Sequence, residues 1–534
     1  MRLVLRRLTI AAAIALCFAA SASFAQGFAG VLTYHNDNAR TGQNLSETVL
    51  TPANVNSSTF GKLYAWRVDG YVYAQPLYVP AGTVKGQKHN LVVIATEHDS
   101  VYAFNADSPK GKPQWKRSFL SRKHDVTTVP WEAVESPDLI PEIGITSTPV
   151  IDAAAGTIYV VAETLENGTT FVLRLHALNI ANGKERKGSP VVLTATVSGY
   201  GDGNDGKGHV SYDPKTTNQR SALALVNGVV YIANASHGDV RPYHGWVLGY
   251  DESTLHQVAA FNATPNGSDG GIWMSGSGPA ADSGGDLYIS TGNGTFDIDE
   301  GGTDYGDSFL KLGELSGTLG VLDYFTPWNQ EDLNQNDFDL GSGGMLLLPD
   351  QQSGITHVAL SAGKDGNIYV VNRDAMGGYN TATSNNSQIV QELDGQIGAF
   401  YSAPVYWNGS VYFSGGDSPV TQFQVSGGML SSNPVFTASV GAFGWPGSVP
   451  AISANGASGG ILWAIRSDSF GNTAGHAVLY AFDASDIATE LYDSNQAGAR
   501  DLPGPAVKFS VPTVANGKVY VGGQYSVTTF GLLK

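Results

Sequence analysis

One pattern returns eight times along this chain and narrows what it can fold into more than any other feature. A Pro or small residue opens an apolar strand, a turn follows, then an apolar strand with Tyr, then a third strand ending near Asp or Asn. Thr148-Pro149-Val150-Ile151 leads to Thr157-Ile158-Tyr159-Val160 and on to Leu175-His176-Ala177-Leu178-Asn179. Gln75-Pro76-Leu77-Tyr78 opens the first copy and Val511-Pro512-Thr513 the last, with Ala222-Leu223, Gly278-Pro279, Ser342-Gly343, Ala403-Pro404-Val405 and Val449-Pro450-Ala451 between. In the fifth copy, Asn367-Ile368-Tyr369-Val370 reads as the Tyr strand. The repeat is about 62 residues, longer than the roughly 40–50 of WD40 or kelch blades, and the Gly-His…Trp-Asp signature is missing. Each copy has room for about four strands and a loop, which is one propeller blade. The expected fold is all-β, an eight-bladed propeller. A ring must close, and Lys62-Leu63-Tyr64-Ala65-Trp66-Arg67-Val68 reads as the outer strand of the final blade, removing a sheet edge. A high Gly count (66), 10% aromatics and only 14% charged residues suit many short strands and turns.

Ahead of the repeats, Arg2, Arg6 and Arg7 precede the apolar run from Leu8 to Ala20, and Ser23-Phe24-Ala25 offers small residues for a cut before Gln26. Residues 1–25 read as a signal peptide, and 26–534 as one propeller domain that is exported, periplasmic or secreted. Cys17 is the only cysteine and falls in the leader, so no lipid anchor and no disulfide is expected. Without the leader the chain would carry 27 basic and 47 acidic residues, a formal charge of −20. That argues against nucleic acid or an anionic membrane as partner and suits the holding of a divalent cation.

Ala103-Phe104-Asn105 followed by Gly111 and Trp115, and Ala177-Leu178-Asn179 followed by Asn182-Gly183, resemble a docking motif between blades, worn in the second case by Lys187 where Trp belongs. Gly249-Tyr250-Asp251 and Ala481-Phe482-Asp483 are weaker copies. Asn38-Ala39-Arg40-Thr41-Gly42 lies ahead of the first strand. Through these runs the chain resembles the pyrroloquinoline-quinone (PQQ) dehydrogenases, the quinoprotein alcohol dehydrogenase-like propellers.

Four features in the middle of the chain extend the resemblance and imply a site. In Gly270-Gly271-Ile272-Trp273, Trp273 would be the floor on which the flat quinone stacks, an arrangement that gives contact area at little entropic cost. The alternative is a core Trp between blades. In Thr291-Gly292-Asn293-Gly294, Asn293 would offer its amide oxygen to Ca²⁺, the alternative being a tight turn. In Phe338-Asp339-Leu340-Gly341-Ser342, Asp339 would be both a metal ligand and the catalytic base that takes an alcohol proton. Asp332 and Asp337 nearby make a plain acidic loop the alternative. In Lys364-Asp365-Gly366-Asn367, Lys364 would orient the quinone and the base, or sit in an ordinary hairpin turn. In Ser236-His237-Gly238-Asp239-Val240-Arg241, Asp239 would replace a metal-binding Glu, and Arg241 would meet a cofactor carboxylate.

Two departures stand beside these. The adjacent cysteines usual in the family are absent, and so is any Cys-x-x-Cys-His for haem, so a reduced quinone would need an external electron acceptor. Glu142, Tyr401 and Trp445 precede inner strands and are lesser candidates for the channel, with Glu163 an alternative metal carboxylate. His35, His98, His176 and His244 show no zinc spacing. Two functions fit. One is a PQQ- and Ca-dependent oxidoreductase acting on an alcohol or sugar hydroxyl of a small molecule. The other is a propeller without chemistry, serving as an exported binding or assembly module for a protein partner.

Overall fold

A computed structural model describes residues 28–472 and 475–534; residues 1–25, expected to be a signal peptide, lie outside them. Eight sheets, antiparallel apart from short parallel pairings of Gln43–Asn44 and of Gly378–Tyr379, form an eight-bladed β-propeller, and the one α-helix among the described residues is Gln330–Gln335. In the first blade the strands Leu77–Val84, Gln87–Thr96, Ser100–Asn105 and Trp115–Ser118 pair in simple succession from the channel outward. Second strands such as Thr157–Glu166 are buried along nearly their whole length, because each blade is covered on both faces; hence apolar runs rather than strict alternation. The fifth blade corrects the sequence reading. Its second strand is Val358–Ala362, and the Tyr369 strand Ile368–Asn372 is the third. Val358–Ala362 carries no Tyr while Ile368–Asn372 does, which hid the second strand.

The ring closes as expected. Phe60–Tyr71 pairs antiparallel with Lys518–Leu532, from Phe60 opposite Leu532 to Tyr71 opposite Gln524. The long last run doubles back near Tyr525, where φ is 56°, bringing Gly517 beside Gly531.

Blade docking is more regular than the worn motifs suggest. Trp115 Nε1 donates to the Ile180 carbonyl at 2.9 Å, and a Cβ on Gly183 would strike the Trp115 ring. Elsewhere a Tyr hydroxyl does the same work. Tyr64 donates to Ala106 O at 3.1 Å, Tyr159 to Glu252 O at 2.8 Å, and Tyr412 to Ala484 O. In all four cases the acceptor is the residue directly after the Asn or Asp of the third strand: Asn105, Asn179, Asp251 or Asp483.

Residues 31–44 fill the channel by visiting each blade in turn. Val31 bridges Tyr78 in the first blade, and Leu32 O accepts from Ile151 in the second. Asn38 reaches Leu225 O in the third and accepts from Ala281 in the fourth. Ala39, Thr41 and Gly42 carbonyls accept from Leu347, Tyr406 and Ile452 in the next three, and Asn44 Nδ2 donates to Val514 O in the last. Arg40 is fully buried at the hub and donates to Thr33 Oγ1, Tyr34 O and Pro279 O at 2.8–3.1 Å. The segment satisfies the inner-strand edges that a propeller otherwise leaves facing its channel. Among the described residues no helix is long and apolar enough to cross a membrane.

Candidate functional site

The runs containing Trp273 and Asn293 are 20 residues apart in sequence but adjacent in space. Gly270 N donates to Asn293 O at 2.7 Å, and Gly292 N to Gly271 O at 2.8 Å. Glycine is required at both edges of this ladder. A Cβ on Gly271 would lie 2.8 Å from the Trp273 indole nitrogen, and one on Gly292 would strike the Asp339 carboxylate. Directly after Trp273, Met274 and Ser275 both hold positive φ (42° and 47°), a backbone state non-glycine residues adopt only when their surroundings impose it. The Ser275 hydroxyl is tied to Ser342 O at 2.6 Å, joining the Trp273 turn to the Asp339 loop.

Asp339 is buried. Its Oδ1 accepts from the Asn293 backbone N–H at 2.6 Å, and its Oδ2 pairs with Lys364 Nζ at 2.6 Å. Lys364 also reaches Asp337 Oδ1 at 2.8 Å. Burial raises the Asp339 carboxyl above its ordinary range against the opposing pull of Lys364. Burial works against the Lys364 ammonium, but the Asp339 and Asp337 carboxylates outweigh it and hold it above its usual value. Asp307, which no motif singles out, is fully buried and accepts from the Leu340 N–H at 3.1 Å, fixing the loop just beyond Asp339. Its own carboxyl is raised well above normal by burial and then by Asp339. Gln330 of the short helix donates to Gly294 O at 3.1 Å and completes the frame.

Several of these groups face a central cavity of about 260 Å³. Trp273, Asp239, Asp339 and Lys364 line it, as do Tyr401 and Trp445, which stand edge to face with centroids 5.7 Å apart. Asn293 lies just behind. Its Nδ2 donates to Asp337 Oδ1 at 3.1 Å, while its Oδ1 is buried without a hydrogen-bond partner. Asp239 accepts from the Tyr243 hydroxyl at 2.8 Å.

Arg241 is placed differently from its sequence reading. Its side chain is 64% exposed and stands outside the cavity lining, with both arms of the guanidinium on Asp269. A carboxylate within its own blade has taken the bidentate partner expected from a cofactor. Two cations that sequence reasoning passed over line the cavity instead, Arg220 and Lys508. Neither lies in a recognisable motif; each precedes the inner strand of its blade, and that position is the only signal that pointed to them. Glu142 binds His98 at 2.9 Å and Thr128 at 2.8 Å rather than facing the cavity. Glu163 is buried with His237 at 3.4 Å, also away from the cavity lining. His176 pairs with Glu185 and His244 with Thr264, both at 2.9 Å.

The donor set suits a hard cation only in part. Among the described residues no three His, Cys, Asp or Glu side chains converge on one metal position. Two carboxylates, Asp239 and Asp339, and the free amide oxygen of Asn293 are what the chain offers, fewer oxygens than the six to eight that Ca²⁺ takes. A cation bound there would need the rest from a ligand or solvent.

Ring, channel plug and aromatic-floored cavity together define an eight-bladed propeller of the quinoprotein alcohol dehydrogenase type in fold. The quinohemoprotein alcohol dehydrogenase from Comamonas testosteroni superposes with a TM-score of 0.59 over 94% of this chain and 80% of its own, at 15% identity. A europium-containing methanol dehydrogenase gives a TM-score of 0.61 over 95% of this chain and 99% of its own, at 12% identity. The quinohemoprotein alcohol dehydrogenase ADHIIG from Pseudomonas putida HK5 gives 0.56 over 94% and 80%, at 15% identity. At such identities the likeness is one of fold. No family profile matches the chain, and no curated protein does.

Proposed function

We infer that the chain is an exported quinone-dependent oxidoreductase that binds PQQ with Ca²⁺ and oxidises an alcohol or sugar hydroxyl. One observation supports this above the rest. Trp273, Asp339 and Lys364 line one cavity, and directly behind it the Asn293 amide oxygen is buried with nothing to bind. A buried acceptor without a donor is costly unless a ligand or cation meets it. PQQ, when bound, supplies a hydride acceptor, and Ca²⁺ an electrophile beside it.

The chain's own residues would do the following. The Trp273 ring offers a flat face, held by Gly271 beneath it and by the Ser275 to Ser342 tie behind. Asp339 receives the hydroxyl proton, and Lys364 holds its carboxylate in position from the opposite side. Asn293 and Asp239 contribute cation ligands. Without a Cys-x-x-Cys-His the electrons leave to an external acceptor. The scaffold alternative drew on the absent cysteines, the absent haem site and the worn docking motifs; of these, the docking is carried by tyrosines in several blades.

The test mixes the purified protein with PQQ, with and without Ca²⁺, and reads absorbance and dye reduction. Binding is expected only with the cation and should reverse with chelator. Asp339→Ala should abolish dye-linked oxidation while weakening quinone binding less, and Trp273→Ala should damage binding first. No binding in the presence of Ca²⁺ would leave the non-catalytic module as the better reading.

A further inference from the structure

Arg220 and Lys508 are the two buried cations of the cavity, 6% and 7% exposed. Among the described residues neither side chain makes a hydrogen bond or an ion pair, and Arg220 Nη2 is buried without any partner. The Arg220 guanidinium carbon lies over the Phe509 ring, 4.2 Å from its centroid. Lys508 Nζ sits among the rings of Trp445, Phe470 and Phe509 at 5.3–5.6 Å. Rings ease the desolvation of a cation but do not neutralise it. Of the carboxylates nearby, Asp138 is the one that lines the cavity and acts on both, and it is exposed. A buried guanidinium with an open N–H is costly unless an anion arrives with the ligand.

We propose that Arg220 and Lys508 form a carboxylate-binding subsite, which takes up an acid group carried on a flat ligand in the cavity. A guanidinium held over Phe509 presents a planar fork that matches a carboxylate. Asp239 and Asp339, which also line the cavity, disfavour a dianion such as phosphate. The acid group belongs either to the quinone or to the substrate. The inference rests on the functional reading above only in the first case.

Two probe pairs on the full chain separate the cases. One pair is PQQ against its trimethyl ester, both with Ca²⁺. The other is 4-(hydroxymethyl)benzoate against benzyl alcohol without quinone. Binding is read by calorimetry and by tryptophan fluorescence. The acid of one pair should bind at least about ten-fold tighter than its neutral partner. Arg220→Gln and Lys508→Gln should erase that preference while leaving affinity for the neutral partner unchanged, and Lys508→Arg should restore it. The preference in the first pair assigns the subsite to the quinone, in the second to the substrate. If PQQ fails to bind while the benzoate preference persists and depends on Arg220, the oxidoreductase reading falls and the subsite stands. Absence of acid preference in both pairs, or a preference that survives both Gln variants, overturns the subsite. Should Arg220→Gln fold poorly, judged by circular dichroism, the Lys508 pair of variants decides.

Discussion

Lys508 shows how a single side chain can make ligand affinity depend on pH. Burial pushes its ammonium down to about 8, with Arg220 adding to the fall and Asp138 opposing it. The rings of Trp445, Phe470 and Phe509 surround it, and Asp239, Asp339 and Lys364 line the same cavity. Below that value the charge that would meet a ligand carboxylate is in place; above it the charge is gone. Affinity for an acid probe should therefore be flat below pH 7 and fall as pH rises through 8, and Lys508→Arg should move the loss to higher pH. Titration calorimetry from pH 6 to 10 checks this, and a flat profile would separate Lys508 from the subsite. The residues that could be read from sequence are those whose neighbours in the chain form a motif, as with Trp273 after two glycines or Asn293 in its glycine turn. Arg220, Lys508 and Asp307 act through neighbours distant in sequence, and no local pattern announces them. Arg241 misled for the converse reason: its motif was present, but Asp269, 28 residues on, had already claimed it.

At the scale of strands and turns, the docking contacts show what a sequence hides. The Trp of the docking motif is plain at Trp115, yet its physical task is to donate one hydrogen bond to the carbonyl after an Asn or Asp and to cover the turn beyond. Tyr64, Tyr159 and Tyr412 meet the first requirement with a phenol. A motif defined by residue type reads these blades as worn, whereas a motif defined by the donated bond reads them as intact. Trp407 extends the rule, donating to Gly456 O at 3.0 Å and packing 2.6 Å from where a Cβ on Gly460 would sit. Gly183 is the position most exposed to change. Its φ of 67° and its contact with the Trp115 ring leave no room for a side chain. Gly183→Ala should destabilise the protein by about 1–3 kcal/mol, through strain and a displaced ring. Urea unfolding followed by tryptophan fluorescence measures the loss, and Trp115→Phe in the same background should recover part of it. An unchanged midpoint for Gly183→Ala would mean this blade contact is looser than it is drawn. The path of residues 31–44 around all eight blades is the least legible element. Most of its bonds to the blades are main-chain bonds to strands as distant in sequence as that of Ile452, with side-chain bonds added by Asn38, Arg40 and Asn44, and main-chain bonds leave little trace in side-chain identity.

At the scale of the whole molecule, the buried hub titrates in two opposed directions. His35 in the channel segment is fully buried, and burial, with Arg40 beside it, pushes its imidazole from 6.5 down to about 3. Below pH 6.5 the unfolded chain takes up a proton there that the folded chain refuses, so stability falls with falling pH until about 3. Glu97 is also fully buried, and burial raises its carboxyl from 4.5 to about 8. Between those values the unfolded chain has lost a proton that the folded chain keeps, so stability falls with rising pH up to about 8. Asp99, raised well above its ordinary value by burial and then by Glu97 and Glu163, adds to the alkaline loss. Between 4.5 and 6.5 the His35 gain cancels one of the two carboxyl losses, so stability should fall by about 1.4 kcal/mol per pH unit for the one proton left over. Above 6.5 the His35 contribution has ended and the fall steepens. Unfolding free energies measured at pH 4.5, 6.5 and 8 should therefore decline in that order. Glu97→Gln should make the decline shallower by one proton and leave stability below pH 4.5 unchanged. A stability that climbs steadily from pH 4.5 to 8 would show that Glu97 and Asp99 are ionised in the folded protein, and that the hub holds its charges by contacts other than those described.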